Sequence, residues 1–473
     1  MPLSRREFLE ASVAGAALLG ARHSPEARAQ VPRRQMRALR ATVRGRVHAP
    51  GDPGYDGARV VFNSRFDGVR PPAVVRVRDG ADVQAVVRWA NRFDVPLVAR
   101  SGGNAYNGGS TSADAVVVDV GGLDRCTLDG SVATLGPGLR NVDLYTTLAR
   151  RGATAASGSC PDIAVGGLAL GGGMGLAGRA LGLTLDNVAG FEVVTADERR
   201  RWIDARTGDD DLFWALRGGG GSFAIVTAVR LRVQRLRRAA WFSVAYPAAA
   251  REAALAAWDK LAPGAPDALT SICTLTATQA SVFGQFLGSE AALRRLVEPL
   301  ARLEGARMSS GTSDFLALQR RWAGCAEGER PAACRGVPRS SFHASSIYVA
   351  RRLDASGRRA FLAAADTGAG LVLDAYGGVI GRVPADSTAF VHRDVRFSVQ
   401  ILSYASIATA RARVREARAR IAPFGNGGAY QNYADLDLRA PRTAYYGSNL
   451  ARLRRVKTAA DPEGRFVTAQ GIG

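Results

Sequence analysis

Apolar and polar positions of the chain follow two periods. From about residue 73 to 233 short apolar runs alternate with amphipathic stretches. Ala73 to Val77, Pro96 to Arg100, Ala115 to Val120, Ala133 to Leu135 and Phe191 to Thr195 are apolar runs of strand length. Ala224 to Val233 alternates as a half-exposed strand does. Between them, Ala81 to Phe93 sets Val83, Val86, Val87, Trp89 and Ala90 at helical spacing, and Asn141 to Arg150 reads as a shorter helix. From about 239 to 420 the helices lengthen (Ala248 to Leu261, Ser289 to Leu303) among strands such as Ser271 to Thr276 and Phe397 to Leu402. The C-terminal stretch returns to short motifs rich in Tyr, Asn and Gly. The pattern predicts an α+β fold without internal repeats. Its simplest layout is a cofactor domain made of residues 36–237 and completed by 422–473. A substrate domain, 238–421, an antiparallel sheet covered by helices, is inserted between the two parts.

With 473 residues, 47% apolar and 22% charged, the chain is long enough for two or three lobes and a sizeable core. The formal net charge of +21 invites a nucleic-acid reading. Only Lys260 and Lys457 among the 63 basic residues are lysines, and the arginines are scattered and mixed with acids. An electrostatic footprint clusters, so the charge argues for no nucleic-acid partner.

Residues 1–29 read as an address. Ser4-Arg5-Arg6-Glu7-Phe8-Leu9 precedes a weakly apolar stretch, Ala11 to Ala21, and Ala27-Arg28-Ala29 offers cleavage before Gln30. The paired arginines resemble the twin-arginine export type, which implies a periplasmic or extracellular protein. The stretch is too short to span a bilayer, and no later run reaches the length of a membrane helix. The pattern sets no oligomeric state.

Cys325 and Cys334 bracket a polar loop and are expected to pair in that compartment. Cys126 and Cys273 read as buried thiols, which leaves Cys160 as the interesting one. No Cys-x-x-Cys or His-x-x-x-His pair occurs, so no metal site is expected.

Two glycine-rich turns carry candidate chemistry. The first, Arg100-Ser101-Gly102-Gly103-Asn104 and on to Gly109, follows a strand. The second runs from Cys160-Pro161-Asp162-Ile163 through Gly166, Gly167, Gly171, Gly172 and Gly173 to Gly175. Glycines let backbone N–H groups crowd a phosphate. A Rossmann fingerprint fails on context, because no strand–turn–helix with a following acid surrounds the second turn.

These two turns resemble the berberine-bridge-enzyme-like flavin oxidoreductases of the vanillyl-alcohol-oxidase superfamily. So do Asp211 to Phe223, Tyr430-Gln431-Asn432-Tyr433-Ala434-Asp435, Tyr445 to Asn449, Val456-Lys457 and Asp461-Pro462. The similarity runs in family order from about Asn63 to Gln470 and is weak in the middle third. It implies a PCMH-type FAD-binding domain, FAD as cofactor, and flavin contacts along both turns, with Val226, Tyr430 and Asn432 near the ring. The family often attaches the flavin twice, through a His and a Cys, and the matching positions here are Asn104 and Cys160. An amide has no nucleophilic nitrogen, so the first bond cannot form. Cys160 is either the single cysteinyl attachment or an inert thiol in a turn.

The resemblance implies hydride transfer from an alcohol carbon, of a sugar or other small hydroxylated substrate, while a base takes the hydroxyl proton. Tyr433 matches the family's frequent tyrosine base, though plain packing over the ring is the other reading. Asp435 helps only where a bend turns it to the same face. His392 and Gln400 are candidates to face the substrate. The electrons pass to oxygen or another acceptor. Ile163 stands where the family tends to have a smaller valine, which favours an acceptor other than oxygen. Oxidation of a secondary metabolite and a catalytically idle flavin protein are the alternative functions.

Overall fold

The computed structural model describes residues 31–473 except 237, 327, 328 and 337; the address segment lies outside the described residues. Three sheets organise the chain. β1 (Arg46–His48), β2 (Val74–Arg76), β3 (Leu97–Arg100) and β4 (Val116–Asp119) form a four-stranded sheet in the order β1-β2-β4-β3. β2, β4 and β3 run parallel, and β1 is antiparallel to β2. β5 (Cys126–Asp129), β6 (Val132–Leu135), β7 (Val188–Val194), β8 (Arg200–Ile203) and β9 (Ile225–Arg232) form an antiparallel five-stranded sheet in the order β5-β6-β9-β7-β8.

The third sheet is built from residues 238–403. Its strands are β10 (Arg238–Pro247), β11 (Leu269–Leu275), β12 (Gln279–Phe286), β13 (Arg307–Asp314), β14 (His343–Val349), β15 (Gly370–Ala375) and β16 (Phe397–Ser403), ordered β13-β10-β12-β11-β15-β16-β14. Alternation gives this sheet two faces. Val244, Val282, Cys273, Leu373, Val399 and Ile347 pack with the helices Arg251–Leu261, Glu290–Ala301, Ala355–Ala365 and Ile407–Ile421 into the largest core. The opposite face looks towards the glycine-rich turns. Register puts Ile272, Asp374, Ser398 and Tyr348 in one row of it, and Thr274, Val372, Gln400 and Ser346 in the next. The fold is α+β.

Local chemistry sets the helix ends. The Gly80–Phe93 helix starts at Asp79, whose carboxylate accepts from the amides of Ala81 and Asp82. It stops at Asp94 in the left-handed region (φ 52°). Between these ends Val83, Val86, Val87 and Ala90 are buried against Val75, Leu97, Val116 and Val118, each such side chain stabilising by about 1–3 kcal/mol. The expected helix at Ala248–Leu261 begins later, at Arg251, after a 3-10 turn at Ala248–Ala250.

Buried polar ties join the sheets. Arg393 holds Asp186 in a two-point ion pair at 2.8 and 2.9 Å. Arg179 donates to the carbonyls of Ala262, Ala265 and Tyr376. Lys457 donates to the carbonyls of Ser222 and Phe466 and pairs with Asp461, which fastens the C-terminal segment. Cys325 and Cys334 form a disulfide. Cys273 is buried, but Cys126 is only partly so, because it sits on the edge strand of its sheet.

Candidate active site

The two glycine-rich turns face each other across a long cavity, which the C-terminal segment closes. Arg140 ties the turns together: its guanidinium donates to the carbonyls of Gly102 (3.3 Å) and Asp162 (2.5 Å) and to Oδ1 of Asn104 (3.3 Å). Ser101 adds a hydroxyl bond to the Pro137 carbonyl at 2.6 Å. Asp162, in the second turn, faces Asn104 of the first; burial pushes its carboxyl up, and Arg140 and the Asn104 side chain counteract that.

Ser101, Gly102, Gly103, Asn104, Cys160, Ile163, Gly166, Gly167, Gly171, Val226, Tyr430, Asn432 and Tyr433 all line the cavity. Gly166 and Gly171 are small because neighbours press on them: a Cβ would lie 2.9 Å from the Pro137 carbonyl oxygen and 2.0 Å from Asn432 Oδ1, respectively. Gly172 (φ 146°) and Gly173 (φ 91°) stand behind the wall and seat Tyr430, whose hydroxyl accepts from the Gly173 amide (2.7 Å) and from the Asn432 side chain (3.0 Å). Burial pushes the Tyr430 phenol up to about 12, against these two donors.

Besides Gly172 and Gly173, four candidates lie outside the cavity wall. Arg100 turns its guanidinium away from the cavity, to the Ala58 carbonyl (2.6 Å) and Asp119 (2.9 Å), and anchors the strand end. Asp435 is 3% exposed and outside the cavity wall, with its carboxylate 3.4 Å from His343 Nε2. Ala434 has polyproline-like torsions (φ −58°, ψ 137°) after the Gln431–Tyr433 turn, and the three-residue period of that backbone sends Tyr433 and Asp435 to different surroundings. His392 is also outside the cavity wall. Its ring stacks on Tyr348 at 4.2 Å, Nε2 donates to the Tyr445 carbonyl at 2.9 Å, and burial pushes it down to about 4. Gln400 reaches the cavity only through Tyr106, donating to its hydroxyl at 2.8 Å.

Tyr106 is one of the residues that sequence reasoning missed. It lines the cavity and stacks on Tyr433, centroids 5.7 Å apart and planes 20° apart. Arg140 is another, hidden among so many arginines. Asp374 is a third: it is 1% exposed, and its charge raises the phenols of Tyr376 and Tyr430. A lone acid in the apolar run Leu371 to Tyr376 was the signal for it.

Comparison with known proteins gives this cavity a class. An FAD binding domain family matches residues 71–204, and a berberine and berberine like family matches 429–473. The uncharacterized FAD-linked oxidoreductase YvdP of Bacillus subtilis is 32% identical over 455 residues, covering 90% of this chain and 98% of that one. Chitooligosaccharide oxidase of Gibberella zeae is 28% identical over 90% of this chain and 91% of its own. The solved structure of Physcomitrella patens BBE-like 1 superposes with a TM-score of 0.88 at 28% identity, covering 93% and 99%. The chain is an FAD-dependent enzyme. It belongs to the berberine-bridge-enzyme-like FAD-linked oxidoreductases.

The residues present fit FAD. A Cβ built on Gly167 meets nothing within 4 Å, and those on Gly220 and Gly221 meet nothing nearer than 3.8 and 3.9 Å, so the space these glycines leave is the cavity itself. Among the described residues, the amides of Gly102 to Ala105 donate to no protein acceptor, as a phosphate cradle requires. Two buried polar atoms of the wall, Ser110 Oγ and Gln431 Oε1, have no protein partner, an arrangement that costs about 1–3 kcal/mol per group unless a ligand satisfies it.

Proposed function

We propose that this enzyme oxidises a sugar or a similar small alcohol to a carbonyl or lactone, with Tyr433 as the base. The observation that carries the reading is the position of Tyr433, in the cavity wall beside Asn432 and Tyr430 and with Tyr106 stacked on it. Bound FAD supplies the acceptor for the substrate's hydride. Tyr433 takes the hydroxyl proton on its phenolate oxygen. Tyr430 stays a neutral phenol, held by the Gly173 amide and the Asn432 side chain, and keeps Asn432 against the cavity. Burial first, and then the negative charge of Asp374, hold the Tyr376 and Tyr430 phenols protonated. The oligosaccharide oxidase among the relatives supports a sugar as the substrate class.

Cys160 lines the cavity with a half-buried thiol, which supports a single cysteinyl attachment, while Asn104 contributes only hydrogen bonds. Ile163 narrows the wall near the same turn and supports an electron acceptor other than oxygen. Export by the twin-arginine route fits the Cys325–Cys334 disulfide.

The test begins with the purified, yellow protein, precipitated in acid. Colour kept in the pellet and lost in Cys160→Ala establishes the thioether; colour released into the supernatant rejects it. Bleaching of the flavin by sugars without oxygen supports the alcohol reading, whereas a flavin that no alcohol bleaches rejects it.

A further inference from the structure

We infer that the site admits one sugar ring, or a polyol of that size, and excludes an extended oligosaccharide; the inference rests on the reading of Tyr433 as the reacting end of the cavity. A substrate with its hydroxyl at Tyr433 lies beside Tyr106, which Gln400 of β16 holds, and a longer chain must leave along that face of the seven-stranded sheet or past its edge. Each exit is filled by packed side chains or by backbone.

Towards β12 and β10 the Phe315–Ala323 helix lies on the sheet. Trp322, 4% exposed, stacks on Phe283 at 5.4 Å and 28°. Its indole N–H and the Gln319 amide both donate to Oε1 of Gln285, at 3.0 and 3.2 Å. The disulfide closes the loop after this helix, and Cys334 packs with Val142 and Ala323. Towards β14 the C-terminal segment occupies the edge: the Tyr430 amide donates to Ser346 Oγ and the Tyr348 amide to the Gly428 carbonyl.

The third exit lies between the sheet and the first lobe. A strap, residues 338–342, is zipped there to residues 61–64. Asn63 bonds both the N–H and the carbonyl of Phe342 and also the Tyr106 carbonyl, and the Ser64 amide donates to the Ser340 carbonyl. Phe342 stands edge-on to Tyr106 at 4.9 Å. Oligosaccharides lie on successive open aromatic faces. Here Phe283, Trp322 and Phe342 are buried; of the rings left partly open in this cluster, Phe62, Tyr106 and Tyr404 are grouped around Phe342, and Trp241 is covered by the Arg321 guanidinium at 3.8 Å. That is a platform for one ring.

The experiment mixes the holoenzyme, without oxygen, with glucose, xylose and N-acetylglucosamine and with their β-1,4-linked trimers. Flavin bleaching is expected to be about tenfold or more less efficient with the trimer than with the monomer, as a filled pocket discriminates. Equal or better bleaching by trimers overturns the inference. Trp322→Ala is expected to gain on trimers relative to monomers, and Trp322→Phe, which keeps the stack on Phe283, is not. If no sugar bleaches the flavin, the alcohol reading has failed separately. The size limit is then read from the change in visible flavin absorption on binding: a monomer perturbs it and a trimer does not, and equal perturbation by both overturns the limit.

Discussion

At position 104 the chain carries a carboxamide whose oxygen accepts from Arg140, and an amide nitrogen is no nucleophile. On the proposed reading the cofactor is held by backbone, by hydrogen bonds and through Cys160. With one attachment fewer, the proposed flavin is expected to be a weaker oxidant than a doubly linked one. Ile163 is the side chain in that wall with a methylene more than a valine. Replacing it, Ile163→Val, is expected to speed reoxidation of the reduced enzyme by dissolved oxygen while leaving reduction by substrate unchanged; stopped-flow mixing of reduced enzyme with oxygen checks this. An unchanged reoxidation rate removes Ile163 from the account.

Elements act here as frames for bare backbone. The Val165–Gly171 helix presents Gly167 to the cavity and Gly166 and Gly171 to close neighbours, so glycine is required at these positions for opposite reasons. Gly167→Val is expected to fold with a melting temperature within a few degrees of the parent, because its side chain meets no protein atom, yet to weaken FAD binding by about tenfold or more through lost cavity space. Gly171→Ala instead strikes Asn432 and is expected to lower the stability of the apoprotein. Calorimetry and FAD titration of both separate the two roles. Much of this was legible beforehand: turns with so many glycines after a strand signal close backbone approach. The rest was not, because it depends on contacts distant in sequence. Nothing near His392 announces that Tyr348 will cover its ring, and the two-residue step from Tyr433 to Asp435 does not show the polyproline-like residue between them. No local pattern tells that the Phe315–Ala323 helix lies across the sheet.

Over the whole molecule the arginine excess is spread among ion pairs that join the lobes, such as Arg393 with Asp186. The buried His392 makes stability depend on pH. Its folded-state value, about 4, lies below the ordinary 6.5, so the unfolded chain binds the proton first as pH falls. This contribution is intact above about pH 6.5 and is lost progressively down to about pH 4, by roughly 3 kcal/mol in all. His392→Phe keeps the stack on Tyr348, and its melting temperature is expected to fall less across that window than the parent's; parallel slopes contradict the assignment. The central claim is that the glycine cavity holds FAD against an alcohol whose proton goes to Tyr433. Its most direct test is anaerobic stopped-flow reduction of the holoenzyme and of Tyr433→Phe by a monosaccharide. The account predicts that both variants carry the same oxidised flavin spectrum, that the parent bleaches, and that the variant bleaches about 100-fold or more slowly. Equal rates in the two proteins would contradict it.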